Sequence, residues 1–306
     1  MKRSSGWGEL GGFGRELLQR RSNVAHGPSQ WTASLPDAQW VELDRGRIAF
    51  VRTQSGPTDA VPVLLLHGWT WSMDLNFVDV FPRLADSHPV VALDQRGHGH
   101  SPRSASTFDI ADLADDAVDV LNALGIQRAI VCGFSLGGIV GLQLALRHPD
   151  RVAGLSVQAC ALSYRQTVRD RLVWPLLRAT TILGERPEPT SAIARVYQTY
   201  RHDATFDQRW PWVRTELART THSGIVEAGA AVRRHDLRGQ VAGLRELPTS
   251  MLVTSRDTVC LPWLQHQLAD QIGARIVELD EDHLAPITHP EQYAAAAIES
   301  IRLAAH

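Results

Sequence analysis

The sequence predicts an α/β fold, a mostly parallel central sheet flanked by helices, with a helical cap inserted before the next-to-last strand. Three observations carry this. Short continuous apolar runs recur along the chain, as strands buried on both faces of a sheet require. Stretches with helical spacing of apolar residues fall between them, and that alternation favours a parallel sheet covered on both faces. One interval of about 90 residues, from Val157 to Ser250, breaks the alternation and is too long for a structureless loop.

Trp40–Asp44 and Arg47–Arg52 read as two short strands around the turn Asp44-Arg45-Gly46. Val61–Leu66 is an apolar run that ends at His67-Gly68, and Val90–Leu93 is another that ends at Asp94. Asp109–Leu124 places Ile110, Leu113, Ala114, Ala117, Val118, Val120 and Leu121 on one helical stripe, with Gly125 as the stop. Ala129–Cys132 is a third buried strand, and Leu136–His148 is apolar nearly all round until Pro149 breaks it. Val152–Val157, Met251–Thr254 and Ile276–Leu279 complete the strands. A helix over Leu261–Gln271 lies between the last two, and Pro290–Ala305 closes the chain as a helix.

The expected organisation is an N-terminal extension (1–35), a core (36–159 and 246–306) and a helical cap (160–245). The cap interval holds Trp174, Trp210, Trp212, Tyr164, Tyr197 and Tyr200 and is punctuated by Pro175, Pro187, Pro189 and Pro211. It also carries Arg165, Arg169, Arg171, Arg178, Arg195 and Arg201.

The 306 residues are 44% apolar and 21% charged, which excludes wholesale disorder and collagen-like structure. A net charge of −2 with no clustered basic footprint argues against a nucleic-acid partner. Three cysteines, Cys132, Cys160 and Cys260, make no disulfide framework and no CxxC pair, so a reducing compartment, the cytoplasm, is expected. No run is long enough for a membrane span. Residues 1–30 carry a net charge of +3 beside Trp7, Phe13, Leu17 and Leu18; a frayed extension is the simpler reading, a weak membrane-surface contact the other. No metal-ligand cluster, P-loop or dinucleotide fingerprint occurs, so neither metal nor cofactor is expected. The oligomeric state is not encoded in any motif.

Gly133-Phe134-Ser135-Leu136-Gly137 fits G-x-S-x-G, between the strand Ala129–Cys132 and the helix from Leu136. That strand–turn–helix setting is what a nucleophile elbow needs: only small residues fit two before and two after the serine, whose hydroxyl is then held above the sheet edge. A serine hydroxyl needs a base. Of 13 histidines, His283 is the candidate, because it follows the strand ending at Leu279, and functional groups gather at strand C-termini in such sheets. His289, in a His-Pro pair, reads as a helix cap, and His266 lies in a helix and faces solvent. The base needs an orienting acid. Asp257, just past Met251–Thr254, is preferred over Asp282, whose neighbour His283 has a side chain that should diverge from it. An oxyanion hole needs two N–H donors. Leu136 supplies one, and Trp69, after His67-Gly68, the second. His67 is read as a brace for that loop. Trp69 is also the one residue proposed to touch substrate.

These segments resemble the α/β-hydrolase superfamily. His67-Gly68-Trp69 looks like its oxyanion loop, Asp94-Gln95-Arg96-Gly97-His98-Gly99-His100-Ser101 like its D-x-R-G-x-G-x-S turn, and Gly133–Gly138 like its elbow. Ser255-Arg256-Asp257-Thr258-Val259-Cys260-Leu261-Pro262 resembles the acid loop, and His283 with Pro290 the histidine loop. The resemblance implies a Ser135–Asp257–His283 triad that cleaves a small-molecule carboxylic ester through an acyl-enzyme. Trp69, Trp71 and the cap would enclose an apolar or lipid-like group. The serine argues against the aspartate-dependent dehalogenases and epoxide hydrolases. A cofactor-free perhydrolase, a carbon–carbon bond hydrolase, or a ligand receptor without turnover are the alternatives.

Overall fold

A computed structural model describes residues 32–104, 106–164 and 204–306. The first 31 residues, with the expected membrane-contact segment, lie outside the described residues. So do Trp174, Tyr197, Tyr200 and the six cap arginines.

Eight strands form one sheet: β1 (Asp37–Leu43), β2 (Arg47–Gln54), β3 (Val63–Leu66), β4 (Val90–Leu93), β5 (Ala129–Phe134), β6 (Val152–Gln158), β7 (Thr249–Thr254) and β8 (Arg275–Leu279). Their order is β1-β2-β4-β3-β5-β6-β7-β8. β1 and β2 pair antiparallel, as do β2 and β4, and every later pair is parallel. The central strands are apolar without alternation because both faces are covered. β3 sends Leu64 and Leu66 to one core and Val63 and Leu65 to the other, and all four are fully buried. Strand β3 starts two residues later than the apolar run suggests, since Val61 is exposed. Ile276–Leu279 departs from the expectation of a doubly buried strand. It lies in edge strand β8, which is covered by less of the molecule, and Ile276 is exposed.

Nine α-helices are described: α1 (Met73–Phe77), α2 (Phe81–Leu84), α3 (Ile110–Ala123), α4 (Leu136–Arg147), α5 (Ala204–Leu217), α6 (His222–Arg234), α7 (Pro262–Ile272), α8 (Ala285–Thr288) and α9 (Pro290–Ala304). Asp109 starts α3 through a reciprocal capping box with Asp112. The short helices α1 and α2 were not expected from the sequence; at five and four residues they span too few turns to show a period. Pro211, read as a break, sits inside α5. Helices α3, α4 and α7 pack on one side of the sheet and α1, α2 and α9 on the other; α6 contributes to the first apolar cluster and α5 to the second. No described helix is long and apolar enough to cross a membrane.

The Asp94–Ser101 turn seats α6. Asp94 Oδ1 accepts from Met73 N–H (2.7 Å), and its Oδ2 accepts from the backbone N–H of His100 (2.7 Å) and from His100 Nδ1 (2.9 Å). Gly97 and Gly99 take the left-handed backbone at φ +77° and +52°. A Cβ on Gly224 of α6 would lie 2.0 Å from the Gly97 carbonyl oxygen, so the helix approaches the turn backbone to backbone. Gly224→Ala is therefore expected to force α6 off its seat and cost about 1–3 kcal/mol, as overpacking does. A melting temperature lowered by several degrees checks this; an unchanged one contradicts the close approach.

Candidate active site

Ser135 follows β5 and precedes α4, with φ +53° and ψ −110°. This strained turn is possible because its neighbours lack side chains. A Cβ on Gly133 would lie 2.1 Å from the Gly137 carbonyl oxygen, and one on Gly137 would lie 1.9 Å from that of Leu66. Ser135 N–H donates to the Gln158 carbonyl on β6 (2.8 Å), which ties the turn to the sheet.

Three of the side chains singled out by sequence meet here. Ser135 Oγ lies 3.0 Å from His283 Nε2, and His283 Nδ1 lies 2.7 Å from Asp257 Oδ2. All three are buried. With the carboxylate accepting from Nδ1–H, Nε2 is left to accept the serine proton. Asp257 is held as an acceptor throughout. Its Oδ1 takes the N–H groups of Val259 (2.7 Å) and Cys260 (2.8 Å), and its Oδ2 takes Thr254 Oγ1–H (2.7 Å) and Gln265 Nε2–H (3.2 Å). The Phe134 ring packs against the imidazole in a tilted contact, with centroids 5.2 Å apart. Such a row can deprotonate a hydroxyl as it attacks and stabilise the imidazolium that results.

The rival residues are engaged elsewhere. Asp282 accepts from Leu284 N–H (2.8 Å) within its own turn. His289 occupies the N-cap position of α9 without making a side-chain cap bond; its ring lies 3.1 Å from Thr288 Oγ1 and 3.2 Å from Glu281. His266 is partly exposed and lies 3.3 Å from Glu278.

The loop after β3 is fixed by His67. Its Nε2 accepts from Gln95 N–H (2.9 Å), so its Nδ1–H donates to the Gly68 carbonyl (2.8 Å). Burial pushes the pKa of His67 down to about 3, and the nearby His98 adds to the fall, so the ring is neutral. With the Gly68 carbonyl held and the peptide planar, the Trp69 N–H points the opposite way. Leu136 is the first residue of α4, so its N–H has no partner within the helix.

Trp71 differs from the expected pocket lining, whereas Trp69 is only partly buried. The Trp69 indole N–H donates to the Ile225 carbonyl of α6 (2.8 Å), which ties the loop to the insertion. Trp71 is 2% exposed and stacks on Phe134 at 5.3 Å, so it belongs to the core. A polar cleft of about 470 Å³ around α3, lined by Asp44, Arg47, Arg96, Asp115 and Arg147 among others, contains none of these residues. Its arginines are paired with Asp116, Asp119 and Asp115. Asp74, His100 and Glu216 bring possible ligand atoms within 4.8 Å of one another. Those atoms are already engaged, by Arg52 on Asp74, by Asp94 on His100, and by Ser72 and Arg219 on Glu216.

Sequence reasoning missed Thr254 and Gln265, which hold the Asp257 carboxylate, and Asn76, whose Oδ1 accepts from Gly68 N–H (2.9 Å). Thr254 is the last residue of its strand and has a local signal, an Oγ three residues before the acid. Asn76 and Gln265 have none.

A family model described as alpha/beta hydrolase fold matches residues 61–301. A pimeloyl-[acyl-carrier protein] methyl ester esterase of Neisseria meningitidis is 32% identical over 251 residues, 80% of this chain and 95% of that one. The crystal structure of a hydrolase from Pseudomonas aeruginosa PA01 superposes with a TM-score of 0.73 at 26% identity, covering 87% of this chain and 98% of that one. The enol-lactonase from Burkholderia xenovorans LB400 gives 0.74 at 24%, covering 86% and 100%. The eight-stranded sheet, the elbow between β5 and α4 and these matches agree: the chain belongs to the α/β-hydrolase fold family.

Proposed function

We propose that the protein hydrolyses carboxylic esters through an acyl-enzyme on Ser135. The observation that carries this is the unbroken row Ser135 Oγ, His283 and Asp257 at 3.0 and 2.7 Å. Ser135 Oγ attacks the ester carbonyl carbon while His283 Nε2 takes its proton. The tetrahedral oxyanion is met by the N–H groups of Trp69 and Leu136. His283 then passes the proton to the departing alkoxide, and the C–O bond breaks to leave the acyl-serine. Water, deprotonated by the same imidazole, releases the acid and restores Ser135.

The methyl ester esterase of N. meningitidis supports an ester of an acyl chain over the other reactions of this fold. We propose an apolar acyl group, with the 160–245 insertion as the cap above it, supported by the placement of α5 and α6 between β6 and β7. Cys132, Cys160 and Cys260 are buried and form no disulfide, which supports a reducing, cytoplasmic setting.

The test is hydrolysis of p-nitrophenyl esters from acetate to decanoate, combined with labelling by a fluorophosphonate. Turnover with a chain-length optimum, and one label mapped by mass spectrometry to Ser135, is the expected result. A label elsewhere removes Ser135 from its role. Carboxylate-dependent peroxide turnover faster than ester hydrolysis replaces the esterase with a perhydrolase.

A further inference from the structure

A buried chain of hydrogen bonds joins the two halves of the oxyanion hole from behind, without touching Ser135, His283 or Asp257 by side chain. Gly68 N–H donates to Asn76 Oδ1 (2.9 Å). Asn76 Nδ2–H donates to the Tyr293 hydroxyl (3.2 Å), and Tyr293 O–H donates to Gln158 Oε1 (2.9 Å). The backbone carbonyl of that same Gln158 accepts the N–H of Ser135 (2.8 Å). The path therefore runs from the residue before Trp69, through α1, α9 and β6, to the residue before Leu136. Those are the two donors assigned above.

Every group in the chain has its partner. Asn76 must present Oδ1 to Gly68, which turns its amide toward Tyr293 and leaves the Tyr293 proton for Gln158. The Gln158 amide in turn donates to Cys132 Sγ (3.1 Å) and Ser156 Oγ (3.3 Å). Asn76, Gln158 and Tyr293 are at most 2% exposed, within an apolar layer that includes Phe77, Phe134 and Leu252. Apolar side chains of similar size would fill this space without the desolvation cost of three polar ones. What the polar chain adds is direction: it fixes the Gly68 peptide relative to the Ser135 turn, two segments that continue the paired strands β3 and β5 beyond their last register pair, Leu66 with Gly133. The Gly68 carbonyl is fixed on the other side by His67, so Gly68, the residue ahead of Trp69, is held at its N–H in one peptide unit and at its C=O in the next.

We propose that Asn76, Tyr293 and Gln158 are positioning residues that set the spacing of the Trp69 and Leu136 N–H donors to fit the tetrahedral oxyanion. This rests on the ester-hydrolase reading of the site. Donors displaced by a fraction of an ångström still admit the planar substrate but meet the oxyanion poorly, so the loss falls on the transition state.

The test compares Tyr293→Phe, which removes one oxygen, and Gln158→Met, which removes the side-chain acceptor and keeps the backbone carbonyl, with the wild type. Each variant is expected to lower kcat by about 10- to 100-fold, the scale of small misplacements in an active site, with KM within twofold. The affinity for an alkyl boronic acid, which forms a tetrahedral adduct on the serine, should fall by the same factor as kcat/KM. The pH profile should stay in place, since the imidazole keeps its partners. The double variant should lose little more than either single one, because one broken link opens the whole bracket. Retention of kcat and boronate affinity within twofold in both variants overturns the proposal while leaving the esterase intact. So does a loss shared equally by KM. A wild type that neither hydrolyses esters nor binds the boronate removes the esterase reading and this inference together.

Discussion

Ser135→Ala is expected to lower kcat for an activated ester by about 10⁴- to 10⁶-fold, leaving KM close to its original value. The reasoning is geometric. Ser135 Oγ is the atom 3.0 Å from His283 Nε2, held there by the strained turn between β5 and α4. Without it the imidazole has only water to activate, and the remaining rate comes from the oxyanion donors and from binding. His283→Ala should cost about as much, and the double variant no more than either, because the two act in one proton transfer. Asp257→Asn should cost about 10⁴-fold: the amide turns a donor toward His283 Nδ1 and selects the tautomer with its proton on Nε2, where it cannot accept from the serine. Steady-state assays on one ester, with burst kinetics to separate acylation from release, check all four. Additive losses in the double variant would mean that Ser135 and His283 act in separate steps, and the triad reading would fall.

The parts of this site that were legible in the sequence are those specified over short stretches. The elbow is a strand, a turn between small residues and a helix, all within Ala129–Arg147. Asp257 and His283 were found because a parallel sheet brings the C-terminal ends of its strands to one edge, so residues just past β7 and β8 meet the turn after β5. Asn76 and Tyr293 stand 217 residues apart, and nothing local to either marks a polar partner. Their contact exists only once α9 has packed against α1 beneath the sheet edge. The same holds for Trp71. Its position after the oxyanion loop suggests pocket lining, yet the turn at Thr70, with φ +70°, leads into α1, and the ring is buried on Phe134. The roles of the Asp94–Ser101 glycines also wait for the fold, since Gly97 matters through Gly224 of a helix more than 120 residues away.

Mild acid should unfold the protein well above the pH at which its carboxylates titrate. Burial pushes the pKa of His67 down to about 3 and those of His98 and His235 down to about 4, against 6.5 for a solvated imidazole. These rings are neutral in the fold, while below pH 6.5 the unfolded chain binds protons on them. Stability contributed by a depressed histidine is thus complete above pH 6.5 and is lost as pH falls toward the folded values. At pH 5 each of the three costs about 2 kcal/mol, roughly 6 kcal/mol together, against a typical total of about 5–15 kcal/mol. His67 adds a structural reason: a proton on Nε2 would face the Gln95 N–H that now donates to it, and two donors would meet in a dry site. Asp94 works in the opposite sense, because burial raises its pKa and the fold then takes up a proton more readily than the unfolded chain. Burial raises the pKa of Asp119 as well, so these two carboxyls act against the three imidazoles. The melting temperature is expected to fall by about 10–20 °C between pH 8 and pH 5. His98→Asn, which can keep the bond to the Arg96 carbonyl and has no titrating group, should shrink that pH-dependent loss by about a third, whatever it does to stability at pH 8. A melting temperature flat across this range, or a slope that His98→Asn leaves unchanged, would mean that these histidines do not control the acid limit of the fold.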